Sequence, residues 1–295
     1  MLGDDKMGLA EKIKILRDKI SEYLVEPRWL ILSRIKRNEE RIIAENKLMY
    51  ENLAVVKGLA NATYILKSEK IILRKLKDKL KDLRMLDIGV GGGRTTHYFA
   101  KLTKEYVGVD YAKNMIKACK RKFANLRDAS FVTCDVRFMP FKNGYFDFIL
   151  FSLNGLDLLP LRDRIKTLKE IKRVTKENGY FCFSTHNIFF LPQVFSFKSS
   201  RNLLTLFKNI RLFILLRLMN RNIKHLTEKE FVLINDPSHN CKELAYYVRP
   251  SRQLKELYQL SFKEVQVITH SGKIITDINI VDRLRDPWLY YLCRV

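Results

Sequence analysis

The stretch Met85-Leu86-Asp87-Ile88-Gly89-Val90-Gly91-Gly92-Gly93-Arg94-Thr95-Thr96 decides the fold of this 295-residue chain. An apolar run ends on Asp87, glycine then recurs at Gly89, Gly91 and Gly93, and a helix-compatible segment follows. Glycine lets the backbone bend sharply from strand to helix and leaves no side chain where a ligand must come close. The helix beyond turns its free amides toward whatever occupies the bend. A dinucleotide fingerprint, Gly-x-Gly-x-x-Gly, does not fit. Counted from Gly89 its third glycine falls on Arg94, and counted from Gly91 it falls on Thr96. What remains is Asp-x-Gly-x-Gly-x-Gly, whose acid suits a cationic ligand and repels a pyrophosphate.

Two further apolar runs close on acids: Tyr106-Val107-Gly108-Val109-Asp110 and Phe131-Val132-Thr133-Cys134-Asp135-Val136. A fourth, Tyr145-Phe146-Asp147-Phe148-Ile149-Leu150-Phe151-Ser152, reads as the buried central strand of a parallel sheet. Each acid alone reads as a helix N-cap or a solvated loop residue. Three in register, one of them before a glycine bend, do not.

This constellation resembles the class I S-adenosylmethionine-dependent methyltransferases of the small-molecule type. The resemblance covers roughly residues 60–186 and returns near 245–270 and 288–294. It implies an α/β fold, a Rossmann-like, doubly wound, seven-stranded and mostly parallel sheet whose last strand runs antiparallel beside the fifth. It implies S-adenosyl-L-methionine as cofactor and S-adenosyl-L-homocysteine as product. By the same resemblance, Asp87 and the bend of Gly89, Gly91 and Gly93 face the methionine moiety. Asp110 with Tyr111 meets the ribose, Asp135 with Val136 meets the adenine, and Ser152 closes the cofactor site.

Composition bounds the rest. The chain is 47% hydrophobic, carries a formal charge of +23, and contains no apolar run long enough for a membrane span. Its start, Met1-Leu2-Gly3-Asp4-Asp5, lacks the pattern of a signal peptide. The five cysteines read as buried thiols of a reducing compartment, with no metal-ligand spacing. The expected location is the cytoplasm, with peripheral contact at the inner membrane face as an added expectation. The positive charge reads either as solvated helix faces or as an affinity for nucleic acid or anionic lipid.

Residues 1–82 read as an N-terminal helical extension: one helix with Leu9, Ile13, Leu16 and Ile20, a second over 30–57, and a third bearing Ile72, Leu76 and Leu80. Such helices often cover the cofactor pocket of this fold, and Tyr64 stands where a cap meets a ligand; a plain core tyrosine is the alternative. Residues 83–295 read as the methyltransferase domain, interrupted at 187–243 by an insertion. Between Phe197 and Thr227 that insertion holds seven lysines and arginines and no acid, among many leucines, isoleucines and phenylalanines. A helix apolar on most sides is buried or docks on something greasy and anionic. The expected role is a helical lid over the acceptor pocket; the alternative is a packing helix.

Methyl transfer from a sulfonium is an in-line displacement, so alignment and a dry cavity are the enzyme's main contribution. An amine or hydroxyl acceptor also loses a proton, which calls for a base. His186, leaving the carboxyl end of the fifth strand, is the first candidate, and His239 the second; a structural histidine is the alternative for each. Asn154 and Asp157 are expected to line the acceptor pocket. Ser152-Leu153-Asn154-Gly155 stands where base-methylating enzymes carry Asn/Asp-Pro-Pro-Tyr/Phe, which disfavours that chemistry. Three functions follow: O- or N-methylation of a small-molecule or lipid-like acceptor, RNA methylation using the basic surface, and non-catalytic cofactor binding at a membrane periphery. The residues leave the oligomeric state open.

Overall fold

The computed structural model describes residues 39–220, 223–241 and 243–295. The helix expected around residues 9–20, and the start of the second, lie outside the described residues. The rest of the second is two helices, α1 (Glu39–Glu51) and α2 (Leu53–Ala60). The break falls at Asn52, which is extended and accepts the Ala54 amide at 2.9 Å, capping α2. Next, α3 (Lys67–Leu80) buries Ile72, Leu76 and Leu80, a stripe repeating every four residues.

Ten strands are found among the described residues where seven were expected. Five of them, β1 (Arg84–Ile88), β2 (Glu105–Asp110), β3 (Ala129–Thr133), β4 (Phe146–Phe151) and β5 (Thr175–Asn187), run parallel. After them come β6 (Phe231–Asn235), β7 (Leu244–Val248), β8 (Lys263–Thr269), β9 (Ile274–Ile275) and β10 (Trp288–Arg294). The order β3-β2-β1-β4-β5-β10-β8 supplies the anticipated sheet, with β10 antiparallel to both β5 and β8. The additional strands are β9 at the edge and the antiparallel pair β6–β7. At His186 one side of β5 holds Trp288 of β10, and Tyr247 of β7 takes the side that β4 occupies further back. The insertion's own strand β6 is thereby joined, through β7, to the sheet just past the end of β4.

Alternation along the strands feeds two cores. Leu86, Ile149 and Phe151 face one, Met85, Phe148 and Leu150 the other. Helices α5 (Leu161–Val174) and α7 (Pro250–Gln259) cover the first face, while α3 and α4 (Lys113–Lys122) cover the second. This is the doubly wound arrangement, with ligand sites at the carboxyl ends of the strands. The helix α5 ends at Val174, four residues before Asn178-Gly179, because Thr175 is already extended and begins β5. Asn178-Gly179, which as a residue pair also reads as a helix stop, lies within an irregular stretch of β5 opposite Phe146 and Phe148, with Asn178 at φ 58°.

The insertion contains α6 (Leu203–Met219) and closes its own apolar cluster around Leu191, Phe195, Leu215, Leu216 and Ile234.

Candidate active site

The bend after β1 is built as the spacing demands. Gly91, at φ 53°, donates its amide to Asp110 Oδ2 at 3.0 Å, tying the ends of β1 and β2 together. A side chain on Gly92 would meet the Ala60 amide nitrogen at 2.3 Å, so α2 lies directly on the bend. Glu51 at the end of α1 accepts the amides of Lys113 and Asn114 at 2.6 and 2.9 Å, capping α4. The N-terminal helices are thus fastened to the sheet on both sides of the bend.

Beneath them is a cavity of about 410 Å³. Gly89, Gly91 and Gly92 line one wall, and Asp87, Asp110 and Asp135 all reach it. Tyr111, Val136 and Ser152 line it as well, and Tyr64 covers it from the extension. Asn154 and His186 stand on the side toward the insertion, joined by Ser238 and Glu243. Two sequence expectations are corrected. Gly93, at φ 82°, does not line the cavity, and a Cβ added to it would meet the Phe123 ring at 2.2 Å. Asp157 is wholly buried and lies behind His186 instead of lining the acceptor pocket. The side chain of His239 lies outside the described residues.

Asp87 is 1% exposed, and its Oδ2 accepts from Thr95 Oγ1 and Tyr106 OH, both at 2.5 Å. Burial pushes its carboxyl up to about 6, against the pull of those two hydroxyls. Burial likewise raises Asp110, opposed by the amides of Ala112 and Gly91. Asp135 differs. Burial raises it, but Arg137, gripping both its oxygens with Nε at 3.0 Å and a terminal nitrogen at 2.7 Å, brings it below the usual range. In all, four carboxylates face the cavity (Asp87, Asp110, Asp135 and Glu243) against the guanidiniums of Arg94 and Arg137. The cavity is acidic in a chain of charge +23. That balance favours a ligand carrying positive charge.

Arg94, which lines the cavity, and Glu69 behind it were not singled out from the sequence. They form a bidentate pair at 2.6 Å on each oxygen, shielded from solvent, with Ser152 and Tyr290 hydroxyls packed on Glu69. The Ser152 side chain is held in this cluster. Glu69 sits in the first turn of α3, twenty-five residues from its partner, and no spacing rule links them.

Asn154 follows a bend in which Leu153 and Asn154 both have positive φ, 50° and 58°. Two successive non-glycine residues in this region are strained. The bend is held by the Asn154 amide, which donates to Ser184 Oγ at 2.8 Å. Asn154 Oδ1 is buried with no hydrogen-bond partner among the described residues. An orphaned acceptor facing a cavity calls for a ligand donor or water.

His186 completes the opposite wall. Its Nδ1 is 2.9 Å from Asp157 Oδ2, the oxygen that also accepts the His186 backbone amide at 2.7 Å. Its ring stacks on Tyr247 at 4.6 Å. Burial lowers its affinity for a proton, but the charge of Asp157, helped by Asp236 and Glu243, outweighs this and raises it above the ordinary histidine value. Asp157 is itself fixed by Arg164 at 2.7 Å and Thr185 at 2.6 Å, all of them buried. A buried carboxylate behind a cavity-facing imidazole orients the ring and supports its charge.

Residues 85–179 match the family described as a methyltransferase domain. That match covers about a third of the chain, and over it the chain is similar to a methyltransferase domain. Its domain is similar over 113 residues to Bacillus subtilis YqeM, at 28% identity, covering 38% of this chain and 46% of that one. It is 31% identical over 102 residues to the demethylmenaquinone methyltransferase of Staphylococcus aureus, covering 34% of this chain and 41% of that one. The chain thus spans less than half the length of these relatives. The fold is shared with a crystal structure of Burkholderia thailandensis 1,6-didemethyltoxoflavin-N1-methyltransferase. The TM-score is 0.56 at 15% identity, covering 88% of this chain and 91% of that one.

Proposed function

We propose that the protein transfers a methyl group from S-adenosylmethionine to a hydroxyl or amine of a small, amphipathic or lipid-like acceptor. The observation that carries this is a single cavity bounded by the glycine bend and acidic strand ends on one side and by His186 on the other. The residues suit the cofactor: carboxylates for a cation and for paired ribose hydroxyls, and a bend with no room for a side chain at Gly92. Asp87 and the bend would hold the methionine end, Asp110 the ribose, and Asp135 with Val136 the adenine end. S-adenosylmethionine supplies a methyl group already activated by the sulfonium charge. The chain's own residues supply the rest. The cap of α1 and α2 excludes water, Asn154 Oδ1 receives a donor from the acceptor, and His186 takes the acceptor's proton while Asp157 holds the ring.

The acceptor class rests on two supports. Leu153, Leu158, Leu159 and Trp288 add apolar lining to the cavity, and Trp288 pairs with His186 across β5 and β10. A second chamber of about 220 Å³ shares His186, Ser238 and Trp288 with it and adds Phe190, Val194, Leu212 and Phe213. A relative acting on demethylmenaquinone fits this apolar lining. An acidic cavity lining speaks against RNA phosphates entering the site, whatever the charge of the outer surface. Calorimetry with S-adenosylhomocysteine tests the reading: binding by the native protein and its loss in Asp110→Ala are expected. Equal binding by both removes its basis.

A further inference from the structure

A helix on a globular surface ordinarily turns its apolar side inward and its polar side out. The insertion helix α6 does not. Leu215, Leu216 and Met219 are buried on its inner side. Leu203, Phe207, Ile210, Ile214 and Leu218 are exposed, at 63, 47, 37, 50 and 52%. Their spacings of four, three, four and four residues put all five within about 80° of arc, opposite the buried side. The stripe is about 22 Å long at 1.5 Å per residue. Phe197, 47% exposed and edge-on to Phe213 at 5.4 Å, widens it at one end. Soluble monomers rarely leave a continuous apolar stripe of this kind in water.

The charge around the stripe says what covers it. By the same arithmetic Arg217 flanks one edge, Lys198 and Arg201 precede the helix in the chain, and the sequence has no acid between Phe197 and Thr227. A second copy of this cationic segment would set like charges against each other, and a protein partner would have to bring acids of its own. An anionic bilayer supplies both halves of the match, acyl chains for the stripe and headgroup charge for its margins. Leu212 and Leu216, on the inner side of the same helix, line the chamber that opens on His186. Among the described residues no helix is long and apolar enough to cross a membrane, so the contact is one of lying on the surface.

We propose that α6 is an interfacial anchor that seats the protein on anionic lipid, with Leu203, Phe207, Ile210, Ile214 and Leu218 immersed and the flanking cations on the headgroups. This does not depend on the methyltransferase reading, and its test needs no substrate. The full chain is floated with vesicles of phosphatidylcholine alone and of phosphatidylcholine mixed with phosphatidylglycerol, at low and high salt. The native protein is expected to float with the mixed vesicles, less so at high salt, and poorly with the neutral ones. Phe207→Ser/Ile214→Ser alters only exposed side chains and should lower the partition coefficient about tenfold or more. Its circular dichroism and affinity for S-adenosylhomocysteine should match the native protein, separating lost docking from lost folding. Absence of flotation overturns the proposal, as does flotation unaffected by the substitutions. A concentration-dependent dimer that the substitutions dissolve also overturns it, and assigns the stripe to a second copy.

Discussion

One oxygen of Asp157 accepts the His186 backbone amide at 2.7 Å and lies 2.9 Å from the imidazole Nδ1, a charge contact outside hydrogen-bond alignment. The other oxygen holds Arg164 and Thr185. The imidazole is thereby placed by the core of the sheet, and its position does not depend on loop flexibility. If His186 is the base, His186→Ala should lower kcat by about 10²–10⁴-fold and leave affinity for S-adenosylhomocysteine unchanged. Single-turnover methylation paired with calorimetry separates the two quantities. A variant with native kcat would return His186 to a structural role.

The raised proton affinity of His186 sets a direction for pH dependence. A base must be neutral, so kcat/KM should climb with pH through a midpoint above 6.5, the ordinary value. In Asp157→Asn the supporting charge is gone while burial remains, so the midpoint should move down. The variant should also lose stability, because among the described residues Arg164 then has the more distant Glu256, at 3.5 Å, as its ion-pair partner. A pH–rate profile that stays put in this variant would refute the coupling, whatever happens to its melting temperature.

Asp87 carries the opposite kind of information, about stability. Its folded value of about 6 lies above its reference of 3.8, so folding favours the protonated form. That contribution is complete below the reference value and is lost as pH rises through 6. By pH 8 the loss amounts to about 3 kcal/mol. Asp87→Asn, neutral throughout, should therefore gain stability on the native protein between pH 4 and pH 8 by roughly that amount, while losing cofactor affinity. Urea denaturation at the two pH values measures it; a pH-independent difference would contradict the assignment.

Arg94 and Glu69 are buried together, with side chains 8 and 0% exposed. Arg94→Met leaves a carboxylate in the interior without its partner and should cost about 3–5 kcal/mol. Adding Glu69→Gln removes the stranded charge, so the double variant should be more stable than the single one. Denaturation of the native protein, the two single variants Arg94→Met and Glu69→Gln, and the double variant closes the cycle.

Gly92→Ala tests the cap. A Cβ 2.3 Å from the Ala60 nitrogen must displace the end of α2 from the bend. Protease cleavage near residues 52–66 should accelerate and cofactor affinity should fall, with the sheet intact by circular dichroism. Unchanged cleavage and affinity would show that α2 does not seal the site.

Much of the fold was legible because its signals are local. Apolar runs ending in Asp87, Asp110 and Asp135 mark successive parallel strands, and the helical repeat of α5 marks the crossover between β4 and β5. The strands β6 and β9 escaped notice. The first lies within an insertion rich in leucine and isoleucine, and the second is two residues long. The break at Asn52 was hidden because a single capping side chain, not a proline or glycine, makes it. Gly93 was misplaced for a related reason. Spacing shows that glycine recurs but not which glycine faces the ligand and which faces Phe123.

Taken alone, the order of residues determined the α/β class, the strand ends that carry acids, the glycine bend and the candidacy of His186, since each depends on neighbours along the chain. Only the tertiary structure decided that Asp157 stands behind His186, that Glu69 answers Arg94, that Asn154 is left with a bare acceptor, and that α6 turns an apolar stripe outward. Those relations join residues up to dozens of positions apart, or compare two sides of one helix. Burial and direction, which set their energies, exist only once the chain has packed.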